Sequence, residues 1–449
     1  MEDTIVAIST ALGKGAISII RLSGKDSIKI VNSVFNGADL NKVDSHTINY
    51  GFIVDKDKKV DEVLVSVMKA PRTYTTEDVV EINSHGGIIA TNKILKLMLK
   101  KGARMAEAGE FTKRAFLNGR IDLTAAESVM DIIESKSNEA MDLALKSLSG
   151  STKELIEEFR GDLIKILANI EVNIDYPEYE DIEEMTIKDI EKEIKTMQSK
   201  LSKILENSKN TRFIKDGINT VIVGRPNAGK SSILNKLLEE DKAIVTDIEG
   251  TTRDIVEGSI YLGGILLNMI DTAGIRETEE TIEKIGVEKS LSLIDDADLV
   301  IVVIDGNKEL NKEDKKILEK TKDKTRVVVV NKDDLKQNIN LKELPKETIT
   351  INTFDNSIDK LKVKIKELFE LEKINTKEAT YFSNTRQIDL VEKALDKLEI
   401  VKKRLKEKTP IDLIELDLKE IFDTLGEIIG ATYDEEIIDH LFENFCVGK

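Results

Sequence analysis

Apolar residues follow three different rules along this chain, and each rule predicts a different kind of structure. Through residue 119 they gather in short strand-like runs, Thr4–Ser9, Ala16–Leu22, Glu62–Val67 and Asp78–Ile82, with a helix-like stretch from Ile88 to Lys100 after the last. Short β-like runs separated by glycines, with a helix among them, predict an α+β domain. From Ile121 to Asp216 apolar positions recur every three or four residues instead, as in Leu155, Phe159, Leu163, Ile166 and Ile170. That spacing predicts long amphipathic helices. The Glu/Lys interleaving of Ile187 to Leu205 reads as the solvated face of one of them.

A third texture begins near Gly217. Continuous apolar runs appear at Thr220–Val223, Ile265–Ile270, Leu299–Ile304, Val327–Val330 and Thr348–Ile351, separated by helical stretches. Runs this apolar belong to a sheet covered on both faces. After about Lys373 the helical pattern returns. The expected organisation is therefore an α+β domain at 1–119, a discontinuous helical domain at 120–216 plus 373–449, and an α/β domain inserted at 217–372.

At 449 residues the chain has room for several domains. No run approaches the roughly 18 apolar residues of a membrane span, and no membrane association is expected. The opening Met1-Glu2-Asp3-Thr4 lacks the basic and apolar regions of a secretion signal. One cysteine, Cys446, excludes an internal disulfide framework and fits a reducing cytoplasm. The net charge of −17 means that any contact with nucleic acid needs a local basic patch or a partner.

The inserted domain carries the most specific chemistry. Gly224-Arg225-Pro226-Asn227-Ala228-Gly229-Lys230-Ser231-Ser232 lies between an apolar strand and a helix-forming run, and it matches the phosphate-binding P-loop. Its glycines let backbone N–H groups approach phosphates, and the helix N-terminus favours their charge. Lys230 is placed to reach the β- and γ-phosphates, and the Ser231 hydroxyl to bind Mg²⁺. Asp271-Thr272-Ala273-Gly274 follows the strand ending at Ile270, so that Asp271 is expected to hold Mg²⁺ through water and Gly274 to sense the γ-phosphate.

Asn331-Lys332-Asp333-Asp334 has the N-K-x-D form. An Asp334 carboxylate can accept from both guanine N1–H and the exocyclic N2–H₂, donors that adenine lacks there. Such a mismatch costs about 10⁴-fold, which selects GTP over ATP. Two departures stand out. Ile275 occupies the place of a water-orienting Gln, and Ile351-Asn352-Thr353 stands where a Ser-Ala pair is usual. In the first-switch segment Thr246–Asp254, Thr251 or Thr252 is expected to complete the Mg²⁺ shell.

Further signatures lie outside this domain: Pro71-Arg72-Thr73-Tyr74-Thr75-Thr76-Glu77-Asp78-Val79-Val80-Glu81-Ile82, Ser84-His85-Gly86-Gly87, Gly109 to Arg120, and the terminal Cys446-Val447-Gly448-Lys449. Together with the G-domain loops, they resemble the bacterial and organellar tRNA-modification GTPase family (MnmE, TrmE) over essentially the whole length.

The resemblance implies an N-terminal α+β folate-binding-like domain that dimerises and binds a tetrahydrofolate derivative, an α-helical central domain, and an inserted Ras-like G domain. It implies K⁺ held by Asn227 and the loop containing Thr246, Ile248 and Thr251, with Mg²⁺ on Ser231 and Thr252. It makes Glu283, by itself a surface helix residue, the catalytic glutamate that organises water, and it places folate contacts on Arg21, Glu81 and Arg120.

The function it implies is addition of an aminomethyl-type group to C5 of the tRNA wobble uridine, with the flavoprotein MnmG (GidA) supplying FAD and NADH chemistry. Cys446 alone reads as a small buried residue; the resemblance implies a role in the modification chemistry. His85 reads as a turn histidine or a catalytic one. Lys113, Arg114 and Arg120 form a basic cluster that either meets RNA or serves pterin binding or structural ion pairs. The alternative function is a ribosome-assembly GTPase switch, disfavoured because such switches carry basic RNA-binding domains and this chain as a whole is acidic.

Overall fold

A computed structural model describes residues 3–175, 180–240, 258–262, 265–270, 293–335, 337–346, 348–352, 358–369, 382 and 384–449. They form two compact units, one of residues 1–130, 147–168 and 418–449, the other of residues 131–146 and 169–417.

The first unit is built on a seven-stranded sheet of β1 (Ile5–Ile8), β2 (Ile17–Ser23), β3 (Phe35–Asn36), β4 (Thr47–Asp55), β5 (Lys58–Met68), β6 (Val79–His85) and β7 (Arg104–Met105), in the order β3-β4-β5-β6-β2-β1-β7. Pairing is antiparallel except between β1 and β7. Alternation along the strands decides which side faces the core. Val6, Ile20, Leu22, Val65, Val67, Val80 and Ile82 pack with Ile94, Leu95, Leu97 and Met98 of α2 (Ile88–Lys100) and with α1 (Ser27–Asn32).

Arg21 and Glu81 are register partners of the opposite parity and project from the other face. There Ile5, Ala7 and Ala106 meet Phe111 of α3 (Glu110–Leu117). A second cluster joins Phe116, Leu123, Ala126 and Met130, the last three on α4 (Leu123–Glu134), to Ile438, Phe442 and Phe445.

The helical stretches continue as α5 (Asn138–Leu148), α6 (Ser151–Asp175) and α7 (Glu180–Lys215). On α7 the residues Ile190, Ile194, Met197, Leu201 and Leu205 are buried at three- to four-residue spacing. The second unit is centred on β8 (Ile218–Val223), β9 (Ser259–Leu262), β10 (Ile265–Met269), β11 (Leu299–Asp305), β12 (Arg326–Asn331) and β13 (Thr348–Thr350), in the order β13-β12-β11-β8-β10-β9.

All pairs are parallel except the edge strand β9. One face is covered by α8 (Lys230–Glu240) and α10 (Ile358–Leu368), and Ile317 of α9 (Lys312–Lys320) joins the core on the other. Every residue of β11 is buried, as its unbroken apolar run predicts. Helix α7 also packs on α11 (Thr385–Lys406), in the same unit. Helices α12 (Ile411–Ile429) and α13 (Glu435–Glu443) complete the described chain. Among the described residues no helix is long and apolar enough to cross a membrane.

Candidate functional site

In the second unit, parallel pairing of β8, β11 and β12 brings their carboxyl ends to one edge, where open α/β sheets bind ligands. The P-loop Gly224–Gly229 runs from β8 into the N-terminus of α8, which begins at Lys230. Asn227 has φ 61° and Gly229 has φ 100°. A Cβ on Gly229 would lie 1.9 Å from Asn331 Nδ2, so only glycine leaves the loop room beside the guanine-type motif.

The two loops are stitched together. Asn331 Nδ2 donates to Ala228 O at 3.2 Å, and Lys332 Nζ donates to Asn227 O at 3.1 Å. Lys230 Nζ donates to Gly224 O at 2.9 Å and Arg225 O at 3.1 Å, folded over the cradle that a phosphate would enter. Asn331 Oδ1 and Arg225 Nη2 are buried with no hydrogen-bond partner among the described residues.

The Asn331–Asp334 loop is braced behind as well. Asp333 N donates to Ile351 O at 3.3 Å, which joins it to the start of the fifth loop, and Asp334 is exposed. Ser231 and Ser232 occupy the exposed first turn of α8. Asp305, a residue not singled out from sequence, ends β11 with its side chain 2% exposed; Oδ2 accepts from Lys332 Nζ at 2.9 Å and Oδ1 from Asn307 N at 3.1 Å. Burial works to raise its pKa, but Lys332, the Asn307 N–H and the charge of Arg225 hold the carboxyl below its ordinary value. Arg225 Nη1 in turn lies 3.5 Å from Asp314 Oδ2.

Several expected groups lie outside the described residues: Thr246, Ile248, Thr251, Thr252, Asp271, Gly274, Ile275, Glu283 and Thr353.

The first unit gathers the other predicted residues. Arg21 Nε donates to Glu81 Oε1 at 2.8 Å, and the Arg21 guanidinium carbon lies 5.9 Å from the Tyr74 ring centroid. Arg120 lies over the same ring at 4.9 Å. The Tyr74 ring thus meets both arginines, which its place in the Pro71–Ile82 motif did not signal.

The C-terminal tail arrives at the same spot. Arg21 Nη1 and Ser9 Oγ donate to Gly448 O at 3.2 and 3.1 Å, and Phe111 N donates to Lys449 O at 3.1 Å. Gly448 has φ 94°, and a Cβ there would lie 2.5 Å from Ile8 O. Beside Tyr74 and Arg120 opens a cleft of about 530 Å³, whose other lining includes His46, Arg72, Asn118 and Gly119 and no carboxylate. A ligand with carboxylates and a flat ring fits this donor set.

Two expectations change and one is resolved. Cys446 is exposed rather than buried. Of the readings of the basic cluster, structural ion pairs hold for Lys113 and Arg114. Arg114 is 1% exposed and held by Asp3, Glu77 and Glu110 at 2.8, 3.1 and 2.9 Å, and Lys113 pairs with Asp439. Adjacent helix positions point about 100° apart, so one went into the core and the other to an ion pair. His85 is an exposed strand-end residue whose Nδ1 lies 2.7 Å from Asp61 Oδ1, and that partner raises its pKa.

A P-loop and an Asn-Lys-x-Asp loop at one edge of a mostly parallel sheet define a guanine-nucleotide-binding GTPase. Residues 4–120 match the GTP-binding protein TrmE N-terminus and residues 123–446 the MnmE helical domain. The chain is 51% identical to the tRNA modification GTPase MnmE of Streptococcus thermophilus, over 100% of this chain and 98% of that protein. It is 49% identical to that of Streptococcus pneumoniae (strain Hungary19A-6), over 100% and 99%. The G domain of the T. maritima FeoB iron transporter matches at 26% identity over 34% of this chain and 98% of its own, with a TM-score of 0.25, too low to bear on the fold. The chain belongs to the MnmE family of tRNA modification GTPases.

Proposed function

We propose that this chain is the GTP-hydrolysing subunit of the complex that adds an aminomethyl-type group to C5 of the wobble uridine, position 34, of tRNA, drawing the carbon from a tetrahydrofolate derivative. The observation that carries the reading is the pair of sites in one chain: a P-loop tied to the Asn331–Asp334 loop, and a cleft lined by Tyr74 and Arg120, the Tyr74 ring also meeting Arg21, which pairs with Glu81 and with the carbonyl of Gly448 in the C-terminal tail.

At the first site backbone N–H groups of Asn227 to Lys230 would bind phosphate, and Lys230 would leave the Gly224 and Arg225 carbonyls to meet it. Asp334 would read guanine, between Asn331 and the fifth loop. Ser231 and Thr252 would hold Mg²⁺, with Asp271 behind it, and Asn227, Thr246, Ile248 and Thr251 would hold K⁺. These cations neutralise phosphate charge when bound. Glu283 would orient the attacking water, a task Ile275 has no polar group to perform.

At the second site Arg21, Glu81 and Arg120 would hold the folate, and Cys446 would serve the modification chemistry. GTP turnover drives a conformational change and supplies no atom to the base. The domains on this reading are 1–119, 120–216 with 373–449, and 217–372; the chain is a cytoplasmic homodimer that works with the flavoprotein MnmG (GidA), carrier of FAD and user of NADH.

Mass spectrometry of nucleosides from bulk tRNA tests it. Cells lacking the gene should lose C5-modified wobble uridines, and wild-type protein should restore them while Lys230→Ala does not. Unchanged uridines in the deletion strain would refute the reading.

A further inference from the structure

We propose that Asp305 is a positioning residue for guanine-nucleotide binding: it holds the Lys332 ammonium against the Asn227 carbonyl and so fixes the base-reading loop to the phosphate loop. The inference rests on the reading of this site as a GTP site and deepens it.

Asp305 ends the strand that lies between the strand feeding the P-loop and the strand feeding the base-reading loop, and its register partner is Asn331. The turn it caps does not need an acid, because Oδ1 alone accepts from Asn307 N at 3.1 Å, and an amide oxygen would do the same. Oδ2 is what requires a carboxylate. It is given to Lys332 Nζ at 2.9 Å, and the same ammonium donates onward to Asn227 O at 3.1 Å.

A carboxylate 2% exposed at a strand end persists only with a charged partner, so Asp305 and Lys332 hold one another. Without Asp305 the lysine, already 33% exposed, has water as its better partner and releases the P-loop carbonyl. Lys332 also has φ 68°, a left-handed conformation that must be held by its surroundings. Gln337 Nε2, donating to Lys332 O at 2.9 Å, braces it from the other side. A nucleotide spans both loops, phosphates in one and base in the other. Loosening their connection therefore weakens binding without removing any group that acts on the reacting phosphate.

The test is a double-mutant cycle on the full-length protein, read as GDP dissociation constants by calorimetry and as steady-state GTP kinetics. Asp305→Asn keeps the acceptor for Asn307 and should weaken GDP by about 10- to 100-fold. KM for GTP should rise with it, while kcat at saturating GTP moves by less than about twofold. In a Lys332→Met background the same substitution should cost less than about threefold.

An equal loss in both backgrounds would mean a purely structural role and overturn the proposal, as would unchanged GDP affinity in Asp305→Asn. Failure of the wild-type protein to bind GDP would instead defeat the GTP reading beneath it. If Asp305→Asn does not fold, Asp305→Glu, which retains the charge but displaces it by one methylene, carries the same cycle.

Discussion

The two sheets of this protein solve the problem of building a site in opposite ways. The P-loop sheet is nearly all parallel and covered on both faces, so its ligand edge is made where consecutive strands end. Each loop at that edge is a short sequence motif, and the sheet's register brings the motifs side by side, where Asn331 and Lys332 bond one loop to the other. The N-terminal sheet is mostly antiparallel with a two-sided alternation, and its candidate site is assembled from residues far apart in the chain. Arg21 meets Glu81 across a strand pair, Arg120 reaches Tyr74, and Gly448 returns to Ser9 and Arg21. Local motifs suffice in one case, while the other needs long-range docking held by a half-buried ion pair and hydrogen bonds to the tail.

That contrast can be broken at several points. The largest effect is expected at Lys230: Lys230→Ala should lower GTP turnover by at least about 100- to 1,000-fold, measured as phosphate release. The next is at Arg114, buried among Asp3, Glu77 and Glu110. Arg114→Met should destabilise the N-terminal unit by about 3–5 kcal/mol, because it leaves carboxylates without their partner. Hydrogen exchange should quicken in β1 and α3 and stay as it was in β8 and β11; uniform protection everywhere would mean that the buried network contributes little.

Acid gives a smaller and graded version of the same test. Burial works to raise the Glu110 pKa, but Arg104, the Glu107 N–H and Arg114 outweigh it and leave the carboxyl below its ordinary value; Asp3 is lowered too, chiefly by its hydrogen bond to Arg104. A lowered folded pKa contributes stability that is fully present above the unfolded value, about 4 for a carboxyl, and lost as pH falls through the folded one. Protection of α3 and β1 should therefore hold down to about pH 4 to 5 and decline below it. A loss that begins near neutrality would point to other groups.

The same contrast explains what the sequence allowed one to read. The runs at Val327–Val330 and Leu299–Ile304 became β12 and β11 nearly residue for residue, since short runs this rich in Val and Ile suit a strand buried on both faces better than a helix. In the N-terminal sheet β4 escaped notice. Gly51 interrupts its alternation, and the reason is tertiary: a Cβ there would lie 2.6 Å from the Phe35 ring.

The tail's return to Ser9 spans 439 positions and has no local signal. Sequence could not choose among the readings of the basic cluster for a related reason: neighbouring letters on a helix face different surroundings, and only the fold shows Lys113 and Arg114 in ion pairs. Asp305 went unremarked since an acid after an apolar strand reads as the first residue of a turn, and only the fold brings Lys332 to it.

The most direct measurement of the central claim, that guanine nucleotide turnover in this chain powers tRNA modification, is a reconstituted assay with the flavoprotein that the proposed function requires and an Asp334→Asn subunit. GTP-supported modification of the wobble uridine should fall by about 10³- to 10⁴-fold, and xanthosine triphosphate should restore both nucleotide hydrolysis and modified uridine. Modification that continues unchanged with GTP would contradict the account, as would hydrolysis restored by xanthosine triphosphate without any modified base.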